Sequence, residues 1–146
     1  MIQLFDDNYF MSKALEEAQL AFEKDEVPVG AIVVIDNRII AKAHNLTECL
    51  HDVTDHAELQ AITAAANFLG GKYLKGCTLY VTLEPCQMCA GALYWSQIDR
   101  LVFGATDQKR GFQKLNTKIH PKTQVFSGVL ATQCSKLITD FFEKKR

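Results

Sequence analysis

The sequence predicts an α/β fold, with helices layered on a mixed sheet, and three observations lead there. Short β-branched runs alternate along the chain with stretches whose apolar residues recur every three or four positions. The first two runs are close enough to pair as an antiparallel hairpin, whereas later ones are far enough apart for a crossover helix. Finally, 146 residues, 48% of them hydrophobic and 23% charged, suit one domain, 1–146, built on one core.

The elements follow in order. Met11 to Phe22 sets apolar residues at helical intervals among strong helix formers, and Pro28 closes that segment off. Val29 to Ile35 is a β-branched run that meets Asp36-Asn37, after which Arg38 to Ala41 resumes the extended pattern, as expected of a hairpin. A polar connection, Asn45 to Thr54, leads to a second helix from His56 to Phe68, stopped by Gly70-Gly71. Thr78 to Leu83 reads as a strand, and Pro85 as the opening residue of a helix over Cys86 to Trp95. Leu101 to Gly104 and Val125 to Leu130 are expected strands, and Thr132 to Phe142 a final helix. No repeat, linker or low-complexity segment interrupts the pattern.

Charge and cysteine usage narrow the function classes. The formal net charge is -1, yet residues 1–107 carry seven Lys and Arg against fifteen Asp and Glu, while residues 108–146 carry nine against two. Lys109, Arg110, Lys114, Lys118 and Lys122 occur with no acid among them, so the last third is suited to a polyanion or is a solvated basic face. No stretch approaches the roughly 18 apolar residues of a membrane span, and the first residues lack an export pattern, so a cytoplasmic address is expected. Five cysteines, an odd number without a secretion signal, favour reduced thiols or metal ligands over a disulfide framework.

The chemistry concentrates in two places. Cys86 and Cys89 stand three apart on an expected helix, which turns both thiols to one side, and His56 opens another helix. Two thiolates and an imidazole suit zinc, which is borderline soft. Three protein ligands leave one position for water, whose pKa zinc lowers to about 7, whereas a structural zinc would need a fourth ligand from Cys49, Cys77 or Cys134. Helix amino termini favour negative charge and so help hold both thiols as thiolates. Glu58, two residues beyond His56, is placed beside such an ion and not on it, as the group that moves protons.

The combined pattern, His56-x-Glu58 followed by Pro85-Cys86-x-x-Cys89, resembles that of the zinc nucleobase deaminases. Glu26 to Ala31, Asn45, His56-Ala57-Glu58, Thr78 to Ala92 and Val102 to Asp107 together resemble the bacterial tRNA-specific adenosine deaminase family over most of the chain, as does Asp140-Phe141-Phe142. That resemblance implies a cytidine-deaminase-like three-layer α/β/α sandwich with a central mixed five-stranded sheet, in a homodimer with one zinc ion (Zn2+) per subunit. It implies hydrolytic conversion of adenosine to inosine at the wobble position of a tRNA anticodon arm, with Glu58 catalytic and His56, Cys86 and Cys89 as ligands. Asn45 and Asp107 are implied at the substrate and its flanking RNA, with Ala57 and Pro85 lining the same site. Three features depart from the pattern: Asp55 directly before the histidine, Tyr94-Trp95, which resembles guanine deaminases of the same superfamily, and a shorter segment over 111–124. A deaminase of a free base such as guanine is therefore the alternative substrate class, and a non-catalytic RNA-binding module with a structural zinc the alternative of another kind.

Overall fold

A computed structural model describes residues 4–146. Its elements are α1 (Asp7–Glu23), β1 (Gly30–Ile35), β2 (Arg38–His44), α2 (Ala57–Leu69), β3 (Cys77–Leu83), α3 (Gln87–Ser96), β4 (Arg100–Ala105), β5 (Gln124–Ser127) and α4 (Ala131–Lys144). The five strands form one sheet in the order β2-β1-β3-β4-β5. β1 is antiparallel to both β2 and β3, whereas β3, β4 and β5 run parallel, so the sheet is mixed.

Strand alternation distributes the core into three layers. Ala31, Val33, Leu79, Val81, Leu101 and Phe103 face one side, where Ala57, Ala61 and Ala65 of α2 and Ala90 and Leu93 of α3 cover them. Ile32, Val34, Tyr80 and Val102 face the other, against Phe10, Met11 and Ala14 of α1 and Cys134 of α4. Full burial of a side chain such as Phe103 contributes roughly 1.5–3 kcal/mol. The small residues of α2 let that helix lie close to the sheet. At Gly30 the approach of α1 is closer still, because any Cβ there would overlap the Ala14 carbonyl.

Local chemistry accounts for the boundaries. The hairpin turns on Asp36 and Asn37, both at positive φ (51° and 61°), the conformation of a two-residue type I′ turn that Asn and Asp tolerate. Gly70, at φ 73°, ends α2 in the left-handed conformation. Three expectations need correction. α1 begins at Asp7 and not Met11, because the Asp6 side chain accepts the Tyr9 N–H and caps an earlier turn. α3 begins at Gln87 with Cys86 as its N-cap, so Pro85 precedes the helix and is not its first residue. β5 stops at Ser127, short of Leu130, since Gly128 and Leu130 both take positive φ (91° and 52°) and turn the chain into α4.

Two of the parallel strands fix where chemistry can sit. β3, α3 and β4 make a crossover unit whose first turn, Glu84 to Cys86, leaves the carboxyl end of β3, the usual place for a site in such a sheet. The amino end of α2 reaches the same edge, because Asn45 at the end of β2 accepts the Ala57 N–H (2.9 Å) and donates to the Val27 carbonyl (3.1 Å).

Candidate active site

His56 and Cys86 are the N-cap residues of α2 and α3; the His56 side chain makes no bond back to α2, whereas Cys86 Sγ meets Cys89 in the first turn of α3. Both turn outward toward a common point. His56 Nδ1 lies 3.7 Å from Cys86 Sγ and 3.5 Å from Cys89 Sγ, and the three donor atoms all fall within 4.8 Å of one another. Tetrahedral coordination at about 2.3 Å to sulfur and 2.0–2.1 Å to nitrogen would separate N and S by about 3.6 Å, so the trio already has the dimensions of a metal corner. It is the group among the described residues that could hold a metal ion. A cavity of about 380 Å³ lined by Gly76, Thr78, Asp99, Arg100, Lys122 and Gln124 opens at the opposite, amino-terminal ends of β3 and β4 and shares none of this chemistry.

The electrostatics match the donor set. Two helix amino termini point their positive ends at the trio, which favours anionic ligands. Cys86 is pulled down to about 4, first by the bond from the Cys89 thiol and then by His56, against the burial that opposes it. Cys89 is pushed well above the ordinary thiol range by donating that bond and by burial, so the pair shares one proton that a cation would displace. The negative Cys86 in turn raises His56.

Glu58 occupies the first turn of α2 and is buried, with 4% of its surface exposed. Burial pushes its carboxyl up to about 7, and the Cys86 charge works in the same direction, while His56 and the Cys89 thiol oppose it. It does not belong to the mutual donor group, so the structure keeps it beside the trio and outside it. The spacing of His56 and Glu58 on one helix start produces this arrangement: the first is a cap pointing out, the second a helical residue turned inward.

The remaining expected residues play mixed parts. Asn45 is buried with its amide tied to Val27 and Ala57, which leaves one N–H and one lone pair for anything else. Ala57 is fully buried and its N–H is spent on Asn45. Pro85 is buried, and its carbonyl accepts the Phe112 N–H (2.9 Å). Asp107 is half-buried, and its Oδ1 accepts the Lys109 and Arg110 N–H groups at 3.0 Å each, a loop-forming role. Sequence inspection assigned no part to Glu26 and Glu84, two further buried acids. Glu26 accepts the Glu48 and Cys49 N–H groups (3.0 and 2.7 Å), and Glu84 those of Asp107 and Gln113 (3.0 and 2.9 Å). The only local sign was an acid directly before a proline at the end of an apolar strand, in the case of Glu84.

Comparison with known proteins agrees with this geometry. The profile of the MafB19-like deaminase family matches residues 5–146. A tRNA-specific adenosine deaminase of Aquifex aeolicus is 47% identical over 143 residues, covering 94% of this chain and 95% of that protein. The chain belongs to the tRNA-specific adenosine deaminase family. Members of that family share its architecture: a solved structure from a study of A-to-I editing by tRNA:A34 deaminases at the wobble position of transfer RNA superposes with a TM-score of 0.80. It is 43% identical and covers 88% of this chain and 98% of its own. A guanine deaminase of Bacillus subtilis is more distant, at 35% identity and a TM-score of 0.67 over 70% of this chain and 66% of that one. The cytidine-deaminase-like sandwich and the deaminase class expected from the sequence are thus both found. Among the described residues, no helix is long and apolar enough to cross a membrane.

Proposed function

We propose that this chain hydrolyses adenosine to inosine at the wobble position of a tRNA anticodon, with His56, Cys86 and Cys89 holding one zinc ion and Glu58 carrying the protons. The observation that supports it most is the convergence of two outward-turned helix caps and Cys89 at tetrahedral ligand spacing, beside a buried acid that stays out of the ligand set. The thiolate and imidazole donors fit zinc, which when bound lowers the pKa of a coordinated water and polarises the reacting centre.

The chain's own residues supply the rest. Glu58 takes one proton from the attacking water and gives it to the ring nitrogen, then takes the second from the newly added hydroxyl and gives it to the departing amine, so that water and adenosine become inosine and ammonia. The buried position of Glu58 and Cys89 requires the nucleotide to leave its stack before it can react. The unspent N–H and lone pair of Asn45 face the nucleoside, Ala57 and Pro85 wall the pocket, and Asp107 shapes the loop that meets the flanking RNA.

The same assignment takes residues 1–146 as one deaminase domain acting in the cytoplasm, where its tRNA substrate is found, and pairing with a second copy. Phe68 near the end of α2 and Trp95 near the end of α3 are 67% and 77% exposed, apolar surface of the kind a homodimer covers. Sedimentation at micromolar concentration would test the pairing. The function itself is tested by incubating the purified chain with an anticodon stem-loop and, separately, with guanine and free nucleosides. Inosine in the stem-loop is the expected result; ammonia from guanine with the RNA unchanged would replace this proposal with the free-base alternative.

A further inference from the structure

Besides Glu58, two acids are buried among the described residues, Glu26 and Glu84, and each spends its carboxylate on backbone N–H groups of a distant loop. A carboxylate is expensive to bury, so such bonds hold a loop in one place. The two loops differ in charge. The one fixed by Glu26 carries Glu48, Asp52 and Asp55, which repel phosphate. The one fixed by Glu84 runs from Asp107 to Gln113 and carries Lys109 and Arg110, both exposed.

The Glu84 carboxylate and the strand–helix turn that follows it seat that second loop against the site. Glu84 Oε1 accepts the Asp107 N–H and Oε2 the Gln113 N–H, so both ends of the loop are bonded to one side chain. Between them, Gly111 bridges to Cys86 as an isolated antiparallel pair, and Phe112 donates to the Pro85 carbonyl. Gly111 packs so tightly that any Cβ would overlap the Glu84 carboxylate and the Asp107 carbonyl. Asp107 fixes the intervening turn by accepting the Lys109 and Arg110 N–H groups. The backbone that bears the two cations is therefore bonded on both sides and lies alongside the ligand Cys86.

We propose that Glu84 is a positioning residue for RNA, seating the 107–113 loop so that Lys109 and Arg110 meet the backbone phosphates of nucleotides flanking the one in the site. This rests on the tRNA assignment above. Glu84 touches neither substrate nor metal; it acts by fixing where the two charges stand. A Gln at this position keeps one acceptor and turns an NH2 group toward the other N–H, so one end of the loop is released.

The test compares Glu84→Gln, Gly111→Ala and the double variant Lys109→Ala/Arg110→Ala with the unaltered chain. Binding to an anticodon stem-loop is followed by fluorescence anisotropy across a salt series, alongside KM, kcat, metal content and melting temperature. Losing two phosphate contacts on unpaired nucleotides should lower the slope of log affinity against log salt by about 1.4 in the double variant. Glu84→Gln and Gly111→Ala should move the slope toward the same value and raise KM about tenfold or more, with kcat within about twofold and metal retained. An unchanged slope and KM in folded, metal-bearing Glu84→Gln would overturn the inference, as would a fall in kcat with KM unaltered. Should Glu84→Gln fail to fold, Gly111→Ala decides on the same two readouts. Failure of the unaltered chain to form inosine in the stem-loop would reject the tRNA assignment and this inference with it.

Discussion

Replacing Glu58 by Gln separates proton transfer from everything else the site does. The side chain is 4% exposed, and Gln has nearly the same volume, so no cavity opens and the fold is retained. Glu58 lies outside the mutual donor group, so an ion held by His56, Cys86 and Cys89 should remain at one per chain. What disappears is a group able to accept and return a proton. Such positioned acids and bases contribute about 10²–10⁴-fold, equivalent to about 3–5 kcal/mol on the barrier. Stability should move the other way or not at all, because a buried carboxylate is replaced by a neutral amide. Single-turnover inosine formation at saturating enzyme, elemental analysis and thermal melting on one preparation read all three quantities. Retention of more than about a tenth of the original rate by the metal-bearing variant would refute the proton-carrier role. Loss of the metal would show instead that Glu58 is a ligand.

Cys89→Ser should leave less than about half an equivalent of metal per chain and lower the melting temperature, both measurable on one sample, because on the proposed assignment the fully buried thiol holds the ion and its loss couples binding to folding. Gly30→Ala, remote from the site, forces a methyl against Ala14, Ala18 and Glu17 of α1 and should cost about 1–3 kcal/mol, a drop of several degrees in a melting scan, with metal content unchanged. Acid stability should depend on Asp7: burial would raise its pKa, but the bonds from Arg100 and Tyr80 outweigh it and hold the carboxyl below 3.8. Its contribution is therefore complete above pH 3.8 and fades as pH falls through the lower folded value, so Asp7→Asn should flatten the acid limb of a urea-midpoint curve measured between pH 6 and 2.

What was legible in the sequence was local. The i, i+3 thiols, the histidine two before an acid, the Asp36-Asn37 turn and the Gly70 stop each depend on neighbours within a helical turn or a hairpin, and each stands where the spacing placed it. Boundaries slipped where one capping bond or a local backbone angle decided them. Asp6 adds a turn to α1, and positive φ at Gly128 and Leu130 shortens β5, although the residues on either side would tolerate the longer elements. Glu26 and Glu84 were opaque for another reason. Their partners lie 22 and 23 residues away for Glu26, and 23 and 29 for Glu84, in loops without periodicity, so apart from the proline after Glu84 nothing nearby announces a buried carboxylate. Asn45 was half legible: its position near the site followed from the motif, its bonds to Val27 and Ala57 did not.

Because His56 faces away from its own helix, α2 starts without the side-chain bond that ordinarily steadies a first turn, a sacrifice of about 0.5–2 kcal/mol. An ion gripped by both residues would clasp together two helix starts that are 30 positions apart along the chain. Fraying of either turn would then strain the other, and the two would open as a unit. Chelation should accelerate amide exchange at residues 58–60 and 88–90 in step, while the strands between them keep their protection.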